Sequence, residues 1–408
     1  MKILHFADVH LGMENYGKSD PKTGLNTRLI DFMRSLNSIV KFAIENKIDL
    51  VVFAGDAYKS REPDPTYQRA FASIIERISS NDIQVVLVAG NHDLPNTSAK
   101  ANTLDIFSTL KIKNVYVSRE PEILKIQTKS GAIAVVTIPW MTKSQLLEKE
   151  EYSKRSIEET NQIMTQKMIQ KIQGLMEKIK SSEKSIMVAH LSAEGAHYGT
   201  ERSIMVGSDI IIPRSVISNP KLSYVALGHI HQFQQISKNP PIIYSGSIER
   251  IDFGEEKEDK IFIVADISNR TTQIKKIKLP AREFITIEIK IDEKDDDPTE
   301  KVINKIREKN IVDKVVRIQI EIPEEKNSAI RETAVREALR DANFIASINK
   351  EVTSQERKKE ELGYSDEIAS FDTIGIIEKY FKDRKISPSR RRILKDEAQK
   401  LIDEFAGL

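Results

Sequence analysis

The sequence predicts an α/β fold arranged in layers, and two observations carry this prediction. Between residues 1 and about 270, short runs of β-forming residues alternate with longer stretches of helical periodicity. Polar residues gather where several of the β-forming runs end. Together these features indicate an α/β or α/β/β layered domain, in which apolar faces pack between layers and polar groups collect at strand ends.

The strands of this domain are predicted from runs rich in Val, Ile, Leu and Phe. They are Lys2–Phe6, Asp49–Ala54, Gln84–Ala89, Ala132–Ile138, Ser185–Ala189, Ser223–Leu227 and Lys260–Ile267. Helices are predicted at Thr27–Asn46 and Pro65–Ser80, where apolar residues recur with helical spacing. The charged stretch Lys143–Glu183 predicts one long helix or a pair of helices. This first domain is predicted to span residues 1–275.

A second unit is predicted at residues 280–352, because two β-then-α patterns follow one another there. Apolar residues alternate across 285–291 and 316–322, and helical spacing follows each run. The pattern is typical of a small α+β domain. Residues 353–369 are polar and predict a linker, whereas residues 370–408 predict two short amphipathic helices. Those helices either fold back on the body or dock on the helices of a partner.

Composition excludes several classes of site. The 408 residues include no cysteine, which excludes disulfides, thiolate zinc sites and cysteine nucleophiles. The net charge of +2 gives no overall field that attracts nucleic acid, so a DNA-binding surface would have to be a local patch. No apolar run approaches the roughly 20 residues that cross a bilayer, and the N-terminus lacks a cleavage-site pattern. We therefore expect a cytoplasmic protein without a membrane partner.

Five of the seven histidines lie at the ends of predicted strands. A single histidine at such a place is more often a surface or satisfied core residue, but five together with carboxylates and an amide indicate a site. The candidate ligands are Asp8, His10, Asp56, Asn91, His190, His229 and His231. Such a set suits manganese, iron or zinc rather than calcium. It oversupplies one ion, so it indicates two ions about 3.5–4 Å apart that share a carboxylate.

The spacing of two ligand pairs adds an expectation about the backbone. In Asp8-x-His10 and His229-x-His231 the ligands alternate with one apolar residue. Alternation along an extended segment places both members of a pair on one face. We therefore expect each pair to lie on an extended segment and to reach the same cluster.

The order of these motifs resembles a known family. Asp-x-His, Gly-Asp, Gly-Asn-His-Asp, a lone His and Gly-His-x-His resemble the motifs of the calcineurin-type metallophosphoesterases. The segments GDAYKSREPDPT, HLSAEGAHYGTERS and YSGSIERIDFGE resemble more narrowly the SbcD class of DNA double-strand-break repair nucleases. The resemblance is strong over residues 1 to about 260 and rests on layout beyond them. It implies a layered α/β/β/α metallophosphoesterase core, a smaller α+β capping domain and C-terminal helices.

The resemblance also implies roles for individual residues. Two divalent ions, most simply Mn²⁺, would be held by Asp8, His10 and His231 on one side and by Asn91, His190 and His229 on the other, with Asp56 bridging. His92 would bind no metal and would assist the departing oxygen, whereas Asp93 is expected to bond to nearby backbone amides. One position departs from the family pattern, because Lys59 stands where many relatives carry an acidic residue or a histidine.

The implied substrate is DNA. The implied activities are those of a double-strand exonuclease and a single-strand endonuclease. Backbone phosphates require cationic groups near the metal cleft, and the candidates are Lys18, Lys22, Arg28, Lys59, Arg61 and Arg202. The chain lacks the Asp-Arg-Gly and Gly-Asn-His-Glu motifs of phosphoprotein phosphatases, which disfavours that activity. Two other functions remain open: hydrolysis of small phosphodiesters or nucleotides, and a non-catalytic DNA-repair scaffold.

Two protein partners follow from the resemblance. One is a second copy of the chain, paired through helices of the phosphoesterase domain. Residues 63–80 and 100–110 are candidates, although their apolar positions could equally belong to the core. The other is an SbcC-type ABC ATPase, whose coiled coil would receive the helices at 370–408. The chain has no ATP-binding motif, so any dependence on ATP would come from that partner.

Overall fold

The computed structural model describes residues 1–95, 100–147, 155–199, 210–268 and 271–353, and the short pieces 381, 387, 390–392 and 394–398. The chain forms two compact units. One contains Met1–Glu288, Val302–Gln319 and Glu332–Asn349, and the other contains Ile289–Lys301, Ile320–Arg331 and Lys350–Leu408. The predicted domain boundaries stay predictions. The predicted linker and docking helices, at 353–369 and 370–408, lie outside the described residues apart from residue 353 and the short pieces.

The strands of the described residues are numbered in chain order. They are β1 Lys2–Phe6, β2 Leu50–Phe53, β3 Gln84–Val88, β4 Val115–Ser118, β5 Glu122–Thr128, β6 Gly131–Ile138, β7 Ser185–His190, β8 Ser192–Ala193, β9 Ile211–Ile212, β10 Tyr224–Gly228, β11 Gln234–Lys238, β12 Pro241–Tyr244, β13 Ile261–Ile267, β14 Thr272–Lys278, β15 Phe284–Lys290, β16 Val315–Pro323 and β17 Phe344–Thr353.

The helices are numbered in the same way. They are α1 Thr27–Glu45, α2 Pro65–Ser79, α3 Asp105–Thr109, α4 Lys143–Leu146, α5 Ile157–Lys178, α6 Arg214–Ile217, α7 Pro298–Arg307 and α8 Glu332–Ala338, with 3₁₀ turns at Phe253–Glu255 and Glu324–Ala329. Local sequence explains the longer ones. Asn26 caps α1, Asp64 caps α2 ahead of Pro65, and Ser156 begins α5 with a capping box.

Two six-stranded sheets form the core of the first unit. Their strand orders are β14-β13-β1-β2-β3-β4 and β11-β12-β10-β7-β6-β5. One hydrophobic cluster takes residues from both sheets, among them Val52 of β2 and Val188 of β7. A second cluster packs α1 and α2 against the first sheet, and a third packs α5 against the second sheet. This arrangement confirms the predicted layered α/β fold.

The predicted elements recur with small shifts. All seven predicted strands of the first domain are present, and the stretch 143–183 contains the two helices α4 and α5 among its described residues. Beyond residue 280 both predicted strands and both predicted helices occur, and a third strand, β17, completes a sheet in the order β15-β16-β17. None of the helices in the described part of the chain is long and apolar enough to cross a membrane.

Candidate metal centre

The candidate ligands lie at or just beyond the carboxyl ends of the central parallel strands. Strands β1, β2 and β3 run parallel in the first sheet, and β7 and β10 run parallel in the second. Parallel strands end at the same edge of a sheet, so the segments that follow them meet there. A hydrogen bond joins the two edges, because the His190 ring donates from Nδ1 to the Ala54 carbonyl at 2.7 Å.

One group of ligand atoms comes from Asp8, His10 and His231. One carboxylate oxygen of Asp8 and one ring nitrogen of each histidine lie within 4.8 Å of one another. The two Nε2 atoms, of His10 and His231, are 3.0 Å apart. The Asp8 carboxylate also accepts from the His229 amide at 2.9 Å, which ties the end of β1 to the end of β10. The structure therefore brings the first predicted ligand trio together.

The second predicted trio also converges. The side-chain oxygen Oδ1 of Asn91 lies 3.0 Å from His190 Nε2 and 3.2 Å from His229 Nδ1. Between the two trios, Asp56 Oδ2 lies 3.6 Å from His10 Nε2 and 3.5 Å from His190 Nε2. One carboxylate oxygen therefore stands almost equally far from a histidine of each trio.

These spacings fit a pair of divalent cations. Two ligand atoms that each lie about 2.1 Å from one ion are roughly 3.0–3.4 Å apart at octahedral and tetrahedral angles. The contacts of His10 with His231 and of Asn91 with His190 and His229 span 3.0 to 3.2 Å. The donor set of nitrogen and oxygen atoms suits manganese, iron or zinc. The residues present therefore fit the cations that the motifs predict.

His190 and His10 are held in the neutral form that can bind a metal. Burial lowers the pKa of His190 to about 4, and burial lowers the pKa of His10 well below its ordinary value. Burial alone would raise the pKa of Asp56, but the nearby rings of His190 and His10 lower it below its ordinary value. Neutral imidazoles around an ionised carboxylate keep their lone pairs available to a cation.

The backbone of the centre departs from the predicted extended segments. Four ligands, Asp8, His10, Asp56 and His229, have positive φ values of 52°, 49°, 61° and 102°. The expectation that Asp8-x-His10 and His229-x-His231 are extended was therefore wrong. Left-handed backbone costs free energy in residues with a Cβ, and such strain concentrates at functional sites. The turns, rather than alternation along a strand, bring each pair to the cluster.

Asp93 is a buried anchor of the turn at Asp56 and of its own turn at Gly90. Its carboxylate accepts from the amides of Gly90 and Asp56 at 2.9 Å and from the amide of Ala57 at 3.0 Å. The expected bonding of Asp93 to backbone amides is thus confirmed. Burial and the nearby Asp56 carboxylate raise the pKa of Asp93 to about 7, against the effect of the three amide donors. Gly90 is required here because a Cβ would collide with Asp56 Oδ1.

His92 lies beside the ligands and is oriented by the backbone of Lys59. Its amide donates to Asp56 Oδ1 at 2.9 Å, and its ring lies 4.9 Å from the His10 ring between centroids. His92 Nδ1 is 2.8 Å from the Lys59 carbonyl oxygen, which can only accept, so Nδ1 carries the hydrogen. The carbonyl of Lys59 therefore orients His92, whichever side chain that position carries.

An open cleft of 490 Å³ adjoins His92. Its lining includes Asn91, Lys59, Arg61 and Lys100. Lys59 and Arg61 are exposed on its rim, and Lys100 forms an exposed ion pair with Glu62 at 3.4 Å. Two of the six basic residues predicted to contact DNA, Lys59 and Arg61, therefore share this cleft with His92. Arg28 is instead buried and donates to Asp31 at 2.9 Å, so its prediction as a DNA contact was wrong. Lys18 and Lys22 are exposed but do not line this cleft, and Arg202 lies outside the described residues.

Two contributors to the centre were not predicted from the sequence. Glu255 accepts from His231 Nδ1 at 3.2 Å and pairs with Lys260 at 2.6 Å. Burial alone would raise the pKa of Glu255, but Lys260 and His231 lower it to about 2. Trp140 lies against the His229 ring, with 4.9 Å between ring centroids. Glu255 belongs to the YSGSIERIDFGE segment, whereas no local pattern marks the single tryptophan.

Comparisons with known proteins agree with this geometry. The family described as Calcineurin-like phosphoesterase matches residues 1–233. The D component of the nuclease SbcCD from Bacillus subtilis is 26% identical over 271 residues, which cover 65% of this chain and 66% of that protein. The DNA double-strand break repair protein Mre11 from Methanocaldococcus jannaschii is 28% identical over 302 residues, which cover 71% of this chain and 70% of that protein.

A solved structure matches over a comparable share of the chain. It is a dimetal phosphatase from Danio rerio, with a TM-score of 0.41 and 12% identity, over 68% of this chain and 96% of that one. The family match at residues 1–233 covers more than half of the 408 residues and includes all seven converging ligands, from Asp8 to His231. The chain belongs to the calcineurin-like phosphoesterase family.

Proposed function

We propose that this protein is a metal-dependent phosphodiesterase that cleaves DNA in double-strand-break repair. The observation that carries the proposal is the position of Asp56 Oδ2, 3.6 Å and 3.5 Å from histidines of two separate ligand trios. A carboxylate so placed suits two cations that share it. We assign Asp8, His10 and His231 to one cation, Asn91, His190 and His229 to the other, and Asp56 to both. Manganese is the proposed metal.

The chain's own residues would divide the work of hydrolysis. When bound, the two cations would supply a nucleophile from water near neutral pH and offset charge on the phosphate oxygens. His92 is held through Nδ1 by the Lys59 carbonyl at 2.8 Å, so it would act through Nε2. When the ring carries a hydrogen on both nitrogens, Nε2 can supply a proton or hydrogen bond to the departing sugar oxygen. The His92 backbone amide donates a hydrogen bond to Asp56 Oδ1 at 2.9 Å, which couples the position of the ring to the proposed bridging carboxylate.

Two findings support DNA as the substrate. By its name, the relative from Bacillus subtilis is part of a nuclease. The relative from Methanocaldococcus jannaschii is by its name a DNA double-strand break repair protein. The cleft beside His92 is lined by Lys59, Arg61 and Lys100, which offer cations to backbone phosphates without a base-specific pattern. Double-strand exonuclease and single-strand endonuclease activities are both part of the proposal.

The proposed partners rest on the same relatives. The Bacillus subtilis relative is by its name one component of a nuclease called SbcCD, which supports an SbcC-type ATPase as the partner of this chain. We assign the docking to residues 370–408 and a homodimer contact to residues 63–80 or 100–110. In the second of these ranges Ile106 and Leu110 are 51% and 65% exposed, which suits helices that pack against another chain.

Digestion of labelled linear duplex and single-stranded DNA with Mn²⁺ tests the activity. We expect wild-type protein to cleave both and His92→Ala to lose about 10²–10⁴-fold in rate while still binding Mn²⁺ and DNA. A bis-aryl phosphodiester serves as the small-substrate control. Cleavage of that ester alone would identify a small-phosphodiester hydrolase, and cleavage of nothing would identify a scaffold. Equal DNA cleavage by wild type and His92→Ala would refute the role of His92.

Removal of residues 370–408 tests the partner. The truncated protein should retain metal-dependent DNA cleavage, because the ligands all lie before residue 232. It should no longer co-purify with the ATPase. Association that persists after truncation would refute the docking assignment without affecting the nuclease assignment.

A further inference from the structure

A buried cluster of charged residues lies beside His231, at the ring nitrogen that does not face the other ligands, and the hydrolysis described above does not use it. Glu255 and Lys260 are each 3% exposed and form an ion pair of 2.6 Å. Glu255 also accepts from the Ile251 amide at 3.1 Å and from the Ser247 hydroxyl at 3.2 Å. Burying an ion pair costs several kcal/mol of desolvation, so stability alone is a weak reason for its presence.

The cluster fixes the ring of His231. Glu255 Oε1 lies 3.2 Å from His231 Nδ1, and an ionised carboxylate can only accept a hydrogen bond. Nδ1 therefore carries the hydrogen, and the lone pair lies on Nε2. That atom is 3.0 Å from His10 Nε2, inside the trio that also contains Asp8. The carboxylate thus selects the tautomer whose unprotonated nitrogen, Nε2, faces the cation position.

The same cluster fixes the backbone of His231. Its carbonyl oxygen accepts from the Ser247 amide at 2.9 Å and from Lys260 Nζ at 3.4 Å. Lys260 Nζ also donates to the Ser247 hydroxyl at 2.9 Å. One ammonium group therefore contacts both the carboxylate that orients the His231 ring and the groups that hold the His231 backbone. Gly246 permits this approach, because a Cβ there would lie 2.6 Å from the His231 carbonyl oxygen.

The other trio is supported differently. His190 donates from Nδ1 to the backbone carbonyl of Ala54 at 2.7 Å, a contact that no substitution of the Ala54 side chain removes. His229 instead turns Nδ1 toward Asn91 Oδ1 at 3.2 Å, within the trio itself. By contrast, the Glu255 carboxylate orients His231, a ligand of the trio that contains Asp8 and His10. A change at Glu255 should therefore affect one cation position and spare the other.

We infer that Glu255, held in place by Lys260, is a positioning residue that orients His231 for the cation shared with Asp8 and His10. This inference rests on the proposed bimetallic function. Removal of a partner that orients a metal-binding histidine typically weakens metal affinity about 10- to 100-fold. Glu255→Ala should accordingly weaken one of the two Mn²⁺ binding events by that factor and leave the second at its wild-type affinity.

Titration calorimetry with Mn²⁺ and ¹⁵N spectra of the histidine rings test the inference on the full chain. In the metal-free wild type the His231 ring should be the Nδ1–H tautomer, and Glu255→Ala should lose this preference. Glu255→Gln keeps an acceptor oxygen but not the charge that pairs with Lys260, so it should weaken Mn²⁺ binding less than Glu255→Ala does. Its nearly unchanged shape makes it the second variant to measure should Glu255→Ala fail to fold. Lys260→Met should act in the same direction as Glu255→Ala, with a smaller effect.

The matched control is the adjacent carboxylate Glu256. It accepts from the Thr286 amide at 2.8 Å and hydroxyl at 2.5 Å, so Glu256→Gln should leave both binding events and the His231 spectrum unchanged. Wild-type binding and an unchanged tautomer in folded Glu255→Ala and Glu255→Gln would overturn the inference. A different outcome is that the variants change Mn²⁺ binding as expected while the wild-type protein leaves DNA intact. That result would overturn the proposed nuclease function and leave the role of Glu255 standing.

Discussion

The buried centre and the exposed rim of the cleft are adjacent, yet their residues act by different physics. At the centre, Asp8 and His190 are fully buried, and each is hydrogen-bonded to a residue that follows a strand of the other sheet. Asp8 accepts from the His229 amide at 2.9 Å, and His190 donates to the Ala54 carbonyl at 2.7 Å. On the rim, Lys59 and Arg61 are exposed to solvent. Buried polar groups keep their geometry and interact strongly, whereas exposed charges are mobile and screened by salt. We therefore propose that the centre determines the chemistry and that the rim modulates which phosphoesters are bound.

The largest effect is expected at the bridging carboxylate. Asp56→Asn keeps the shape of the side chain but removes the charge that both cations would share. We expect DNA cleavage to fall by about 10³-fold or more, since the loss of metal-based charge stabilisation is worth several kcal/mol. Calorimetry should show both Mn²⁺ binding events weakened. If only one event changed, Asp56 would belong to a single cation.

A smaller effect is expected from burial of a histidine outside the centre. His5, on β1, is fully buried against the Tyr224 hydroxyl at 2.8 Å, and burial lowers the pKa of His5 from 6.5 to about 3. Below pH 6.5 His5 is protonated in the unfolded chain but stays neutral in the folded chain. The free energy of unfolding therefore falls as the pH falls toward 3. This residue should cost about 2 kcal/mol of unfolding free energy between pH 7 and pH 5.

Denaturant unfolding at pH 7 and pH 5 measures that cost. His5→Gln removes the titrating group and can still accept from Tyr224, so the loss of stability on acidification should shrink by about 2 kcal/mol. The control is His197→Gln, which removes an exposed histidine. Equal pH dependence in the two variants would show that burial of His5 does not exclude its proton.

The smallest effect is expected on the rim. Lys59→Ala removes one cation from the cleft but keeps the carbonyl that orients His92. We expect the Michaelis constant for DNA to rise several-fold, and the slope of log affinity against log salt concentration to fall by about one. The matched control is Lys41→Ala, which removes an exposed lysine of α1 that pairs with Glu45 at 3.9 Å. An unchanged salt slope in Lys59→Ala would remove this residue from the DNA-binding surface.

The contrast between the two regions also explains what could be predicted from the sequence. The central strands were predictable because runs such as Val85–Val88 are buried on both faces and are continuously apolar. The candidate ligands were predictable because polar residues have no reason to follow such a run unless they form a site. Strand β14 was missed because its residues alternate between half-buried and exposed positions and include three lysines.

Other features depend on tertiary contacts that no local pattern encodes. The positive φ values of Asp8 and His10 accompany backbone bonds to Gly55 and Asp56, which lie more than 40 residues further along the chain. Glu255 lies 24 residues from His231, and its sequence neighbourhood shows carboxylates without showing which one turns inward. Likewise the ring of His92 is oriented by a carbonyl of Lys59, and a carbonyl is present at every position. Sequence motifs therefore predicted the candidate ligands and the bonding of Asp93 to backbone amides, but not the supports that Glu255 and the Lys59 carbonyl provide.

Anomalous diffraction from crystals grown with Mn²⁺ would show whether the centre holds two cations. We expect two peaks about 3.5–4 Å apart, one beside Asp8, His10 and His231 and the other beside Asn91, His190 and His229. Asp56 Oδ2 should lie between them. A single peak, or no peak beside Asp56, would contradict a bimetallic centre and with it the proposed chemistry.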